Sequence, residues 1–193
     1  MSSKKYLLKF GEKFWLYGIL AFGFLLRIFY IFNFTTPEKY LFSDPGGYDA
    51  RALFMAQDQY IASSTYWAPF FHIFLSFIYR PLVWLDLESW RIKIDVVLFA
   101  VFYTIAFWCI YQIAKKLFSQ KTAFIILAAL IFWWPFIFFN SLIMSENLFF
   151  LLFFFGLYVL IEKPKSSING ILLGILWGLA LLTRPIFAPT AAL

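Results

Sequence analysis

The sequence predicts an all-α protein, a polytopic bundle of about five membrane-spanning helices with further helices at the membrane surface. Three observations predict it. Hydrophobic residues make up 63% of the 193-residue chain and charged residues only 13%, against roughly 45–50% and 25% in a soluble domain. Mean hydropathy is +0.81, more apolar surface than a chain of this length can hide from water. The apolar residues also fall into stretches close to the roughly 20 residues that a helix needs to cross the hydrocarbon core. Cys109 is the single cysteine, which excludes an internal disulfide and a cysteine-based metal site.

The first apolar stretch is Phe14–Phe34, interrupted by Arg27 and preceded by Lys4, Lys5, Lys9 and Lys13. It is too long for a signal peptide and no small-residue cleavage site follows it. It reads as a retained anchor with a cytoplasmic N-terminus. A polar stretch, Thr35–Trp67, carries Asp44, Asp49 and Asp58. Five further apolar stretches follow: Ala68–Leu85, Val96–Ala114, Thr122–Phe139, Leu148–Ile161 and Ile168–Leu182.

The lysines decide how many of the six cross. If all did, the turns at Lys115–Lys121 and Lys163–Lys165 would lie outside, against the positive-inside rule. If Ala68–Leu85 stays on one side, every lysine cluster is cytoplasmic. That stretch is broken by Arg80-Pro81 after about a dozen apolar residues, the length of an interfacial segment. Five spans and one long outer loop, residues 35–91, are therefore expected. On this topology the cytoplasmic segments hold nine Lys against Glu12 and Glu162, and the rest holds seven bases against eight acids. The net charge of +6 is then an orientation signal, with no nucleic-acid partner implied.

Inside the outer loop, Asp44-Pro45-Gly46-Gly47 reads as a turn. Residues Tyr48–Tyr60 contain no Gly or Pro. They repeat Tyr48, Ala52, Met55, Ala56 and Tyr60 at helical spacing, which predicts a helix on the bilayer surface. At the other end, Ile186–Leu193 open a seventh apolar stretch with no polar tail, as expected if the chain is a fragment of a longer membrane module.

This topology gathers ionisable residues on one side. Asp44 and Asp49 follow the first span, Glu146 opens the fourth, Arg184 ends the fifth, and Arg27 lies in the outer half of the first. Such residues are functional candidates by default. A carboxylate there can act as a general base, and a cation can hold a phosphate leaving group. A substrate whose tail is in the bilayer and whose phosphate is at the rim would meet both. Transporters and lipid-binding proteins use similar charges, so the pattern alone leaves the class open.

The order of features resembles the N-terminal half of the GT-C membrane glycosyltransferases. The branch is that of dolichyl-phosphate-mannose protein mannosyltransferases and lipid A aminoarabinose transferases. The resemblance rests on Arg27 in the first span, then Asp44 to Tyr48 as an acid, three residues and Tyr. Pro69-Phe70-Phe71, Arg91 and the basic turn Ala114-Lys115-Lys116-Leu117-Phe118 follow. Ser145-Glu146-Asn147 and Leu182-Thr183-Arg184-Pro185 complete it. It covers nearly the whole chain, 1–193, as the N-terminal part of the catalytic module. It implies transfer of a sugar from a polyprenyl-phosphate donor to a lipid, glycan or protein acceptor, on the outer face of a plasma (inner) membrane. It also implies inversion at the sugar carbon and surface helices in the first outer loop. Asp44 would be the base and Glu146 would position the acceptor or a divalent ion. Arg184, Arg51, Tyr48, Asp49, Arg27 and His72 complete the substrate-binding candidates.

Two departures stand out. The aminoarabinose transferases carry a Lys before a Pro pair, where this chain reads Tyr66-Trp67-Ala68-Pro69. They also carry an Arg three residues after the loop Asp, where this chain has Gly47. Arg184, with His72 or Arg51, would have to take over the donor phosphate.

Each candidate also has a plainer reading. Asp44 is a common turn or N-cap residue, and Asp49 could open the surface helix, where its charge suits the dipole. Glu146 could cap the fourth span, and Arg184 could be a snorkelling anchor. Arg27 calls for an ion-pair partner. Arg91 and Asp95, at i and i+4, could pair with each other. His72 reads as interfacial rather than as a metal ligand, and Trp133-Trp134 as an aromatic belt. A non-catalytic protein that binds or carries a lipid-linked sugar is the alternative to the enzyme.

Overall fold

The computed structural model describes residues 2–59, 67–162 and 166–187, with the side chains of residues 2–10 and of Phe187 left aside. Among these residues the fold is all-α. The helices are α1 (Ser2–Phe34), α2 (Ser43–Ala56), α3 (Pro69–Trp84), α4 (Arg91–Leu117), α5 (Gln120–Phe132), α6 (Trp134–Phe139), α7 (Ser145–Glu162) and α8 (Ser167–Thr183). Three helical stretches are long and apolar enough to cross a membrane: Gly11–Phe34, Glu88–Leu117 and Ser145–Glu162. α5 and α8 are apolar but shorter.

The stretch expected as one span over Thr122–Phe139 is broken. α5 stops at Phe132, Trp133 is extended, and α6 restarts with Pro135 in its first turn. Pro135 has no N–H for the carbonyl of Ile131, and its ring would clash with that carbonyl in a continuous helix. Ser119 starts α5 properly, accepting a hydrogen bond from the Thr122 N–H at 3.1 Å.

α4 is the central helix, and ring contacts along it fix the direction of its neighbours. Glu12 meets Tyr111 and Lys115, whereas Arg27 meets Phe107 and Tyr103, so α1 runs antiparallel to α4. Tyr111 stacks near Phe124 and Tyr103 near Phe136, so α5 and α6 return antiparallel as well. Tyr103 meets Phe150 and Trp108 meets Tyr158, which makes α7 parallel to α4. Glu146 with Arg184 and Gly156 with Trp177 make α8 antiparallel to α7. Antiparallel α1 and α4 bear directly on α3. A single crossing between them in a shared bilayer would have made them parallel. α3 instead packs Phe71, Leu75 and Tyr79 on the Arg91 half of α4, against Val96 and Phe99.

The two ends of the bundle differ in chemistry. At one end Lys115 pairs with Glu12 and Lys116 lies 3.8 Å from Glu162, tying α4 to α1 and α7. The turn holding Lys163 and Lys165 lies outside the described residues. The acids and arginines of the outer loop and of the starts of α4 and α7 collect at the opposite end.

α2 differs from expectation at both ends. Asp44-Pro45-Gly46-Gly47 is its first turn rather than a turn before it, and it ends at Ala56, with Tyr60 outside the described residues. A proline costs nothing in a first turn, where its N–H would be unpaired anyway, and Asp44 suits the positive end of the dipole. The glycines serve close approach: a Cβ on Gly46 would strike the Leu41 carbonyl, and one on Gly47 the ring of Trp67. The face carrying Tyr48, Ala52 and Ala56 is buried in the protein core rather than turned to lipid.

Candidate functional site

At the end away from Lys115 and Lys116, Asp44, Tyr48, Ser145, Glu146, Thr183 and Arg184 line one polar cavity of about 160 Å³. Three helix ends build it. Asp44 and Tyr48 lie one turn apart at the start of α2, Glu146 is in the first turn of α7, and Arg184 ends α8. Pro185 follows, so the helix stops with its last carbonyls and the guanidinium at the mouth.

The polar groups form a chain. Arg184 closes an ion pair with Glu146. The Tyr48 hydroxyl donates to Ser145 Oγ at 3.3 Å, and Ser145 donates to Glu146 Oε2 at 3.4 Å. Tyr48 is held by the ring edges of Trp67 and Phe71, with centroids 4.8 and 4.9 Å away. Burial raises the Tyr48 hydroxyl above its ordinary range, and the charges of Glu146 and Asp44 add to this against Ser145 and Arg184. The hydroxyl therefore stays a donor at neutral pH. Two carboxylates and one guanidinium leave the cavity with an excess of negative charge and a cation already engaged on one side. Arg184 has five N–H donors, more than one carboxylate uses.

Four candidates of the sequence meet here: Asp44, Tyr48, Glu146 and Arg184. Four others do not line the cavity. Asp49 follows Tyr48 by one residue, about 100° around the helix, and faces α3 and α4. Arg91 grips it with both edges of the guanidinium, Nε to Oδ1 and Nη2 to Oδ2, each at 2.8 Å. The expected pairing of Arg91 with Asp95 is thus replaced. Asp95 is fully buried and meets the Tyr79 hydroxyl at 2.5 Å, and that hydroxyl is also 3.1 Å from Asp49 Oδ1. Burial first, with the two acids beside it, holds the Tyr79 hydroxyl well above its ordinary range.

Arg27 is 1% exposed, but the expected ion pair is absent among the described residues. Its Nη1 donates to the Gly23 carbonyl at 2.8 Å, and its guanidinium lies over the rings of Phe107 and Tyr103, 4.7 and 5.5 Å from their centroids. The faces of the two rings attract the desolvated cation.

Arg51 stacks on Trp67 at 5.5 Å, so it adjoins the cavity through that ring. His72 is buried nearby and within the field of Arg51. Burial first, and Arg51 second, lower its pKa below the ordinary value, so the imidazole is neutral at pH 7. Among the described residues no three His, Cys, Asp or Glu side chains converge as a metal cluster.

Trp67 accounts for the glycine at position 47. Its ring lies where a side chain at position 47 would go. Tyr79 escaped the sequence reading because a tyrosine in an aromatic-rich run carries no signal of its own. Asp95, an acid at the start of an apolar helix, was the legible half of that contact. Compared with known proteins, the chain matches no family model, no curated protein and no solved structure.

Proposed function

We propose that the chain is the N-terminal part of a GT-C-type glycosyltransferase that moves a sugar from a polyprenyl-phosphate donor to an acceptor at the outer face of a membrane. One observation carries the reading. Asp44, Tyr48, Glu146 and Arg184, brought from three helix ends, meet in a polar cavity at the end of an apolar bundle opposite its lysine pairs. A membrane-anchored phosphate arriving from the bilayer would meet acid, hydroxyl and guanidinium together.

In the proposed reaction the acceptor hydroxyl or amine attacks the anomeric carbon while the bond from that carbon to the phosphate oxygen breaks. Asp44 takes the acceptor proton. The electron pair leaves with the phosphate, which Arg184 holds through N–H donors not engaged by Glu146. Glu146 and the Tyr48–Ser145 chain fix the guanidinium and orient the acceptor. The attack from the face opposite the phosphate inverts the sugar carbon.

The test is transfer in liposomes with a panel of polyprenyl-phosphate sugars, using the longest form of the protein the gene encodes. Asp44→Asn should lower turnover by at least about a hundredfold, the scale of general-base loss, with donor binding kept. Near-normal transfer by that variant would remove the base assignment. Donor binding without transfer by any wild-type preparation would favour a non-catalytic carrier. The sidedness is tested separately: reporters fused at Lys93 should read outside and at Gln120 inside.

A further inference from the structure

The contact between Tyr79, Asp49 and Asp95 sets a proton-counting problem. One hydroxyl lies within hydrogen-bond distance of an oxygen of each carboxylate, 3.1 Å from Asp49 Oδ1 and 2.5 Å from Asp95 Oδ2. A tyrosine hydroxyl has one proton to donate. If both acids were ionised, one contact would set lone pair against lone pair inside the protein.

Two further observations point the same way. Arg91 is fully committed to Asp49, taking both of its oxygens, while its Nη1 donates to the Glu88 carbonyl at 3.1 Å. Asp49 and Arg91 thus cancel, and among the described residues no cation forms an ion pair with Asp95. Asp95 is 0% exposed and its Oδ1 has no hydrogen-bond partner. An ionised carboxylate with an oxygen left bare in such a place is very costly, whereas the carbonyl of a neutral acid is tolerable.

We infer that Asp95 is a carboxylic acid that keeps its proton at neutral pH, and that with Tyr79 it is a positioning residue for α2. Asp95 donates to Tyr79 Oη, Tyr79 donates to Asp49 Oδ1, and Arg91 completes Asp49. Every donor in the chain then has an acceptor, and the net charge is zero. The groups that face this proton are Tyr79 from α3, Asp49 from α2 and Arg91 from α4. Because Asp49 shares α2 with Asp44 and Tyr48, the chain sets the rotation of that helix and thereby the aim of both side chains in the cavity. The positioning role rests on the proposed function; the proton assignment does not.

Infrared spectroscopy of the protein in phosphatidylcholine vesicles tests the assignment. The wild type at pH 7 should show a carboxylic acid C=O band that moves on labelling with isotopically substituted aspartate. Asp95→Asn should abolish the band, and Tyr79→Phe should raise its frequency by removing a hydrogen-bond partner. A band absent at pH 7, or appearing only on acidification into the ordinary carboxylate range near about 4, would overturn the assignment, and the labelled wild type alone suffices to see it. For positioning, Asp95→Asn should keep transfer within about threefold, because its amide still donates to Tyr79. Asp95→Leu and Tyr79→Phe should lose about tenfold to a hundredfold in turnover, as expected when reacting groups are misaimed. Equal loss in Asp95→Asn and Asp95→Leu would overturn the positioning role. If the band is present and no preparation transfers sugar, the proton assignment stands and the transferase reading falls.

Discussion

Glu146 and Arg184, 38 positions apart, close an ion pair between the first turn of α7 and the residue that ends α8. Their side chains are 35% and 32% exposed. Solvent therefore screens the pair, and its worth to stability is small, about 0.2–1 kcal/mol. A double-mutant cycle with Glu146→Gln and Arg184→Gln, read by thermal unfolding in detergent, should return a coupling of that size. The functional effect should be larger. Arg184→Lys keeps the charge but loses the planar fork, and donor affinity should fall by about tenfold. Equal donor affinity in Arg184→Lys and wild type would show that the guanidinium holds no phosphate.

The same two helices meet at Gly156, where an added Cβ would strike the indole of Trp177. Gly156→Val should destabilise the protein by about 1–3 kcal/mol, the range for overpacking a filled contact. It should also spread α7 from α8 and so disturb the Glu146–Arg184 mouth. Pairing it with Trp177→Leu should recover much of the melting temperature. The check is the unfolding midpoint of both single variants and the double.

Arg27 offers a test of magnitudes. Each of its two ring faces contributes about 2 kcal/mol when desolvated. Against this, Nε and Nη2 are buried without hydrogen-bond partners, at about 1–3 kcal/mol each. Taking the buried cation out of water costs several kcal/mol more, which makes the unfavourable side the larger, so Arg27→Met should leave the thermal midpoint in detergent unchanged or raised. A loss of more than about 2 kcal/mol would mean that the rings outweigh the bare nitrogens.

His72 makes stability depend on pH. Its folded pKa is lowered by burial and by Arg51, so the unfolded chain binds more protons just below the ordinary value near about 6.5. Stability from the neutral imidazole is full above that value and is lost as pH falls towards the lowered folded one. The midpoint should drop between about pH 7 and pH 5, and His72→Phe should flatten that part of the profile. An unchanged slope in the variant would assign the effect to another group.

How much of this was legible can be seen residue by residue. The lysine turns and the apolar stretches foretold which ends of the helices share a side. The antiparallel pairing of α1 with α4 agrees with a loop that does not cross between them. Asp44, Glu146 and Arg184 were legible as candidates because ionisable groups at the ends of apolar helices invite a functional reading, and the structure brings the three to one cavity. Asp49 and Arg91 were harder. A one-residue step along a helix turns a side chain by about 100°, and nothing local says which of Tyr48 and Asp49 faces the cavity. The break at Trp133 was missed, because a proline inside an apolar stretch does not say whether the helix stops: Pro135 opens a new helix, whereas Pro81 sits inside α3.

By itself, the sequence determined the all-α class and the presence of apolar helices long enough to cross a membrane, because hydropathy acts on each segment separately. Only the tertiary structure decided which polar groups touch. It turned Asp49 to Arg91 instead of the cavity, set Arg27 against rings instead of a carboxylate, and placed one tyrosine hydroxyl between two acids. Those outcomes depend on helix rotation and on contacts over many tens of residues, which packing fixes and local pattern does not record.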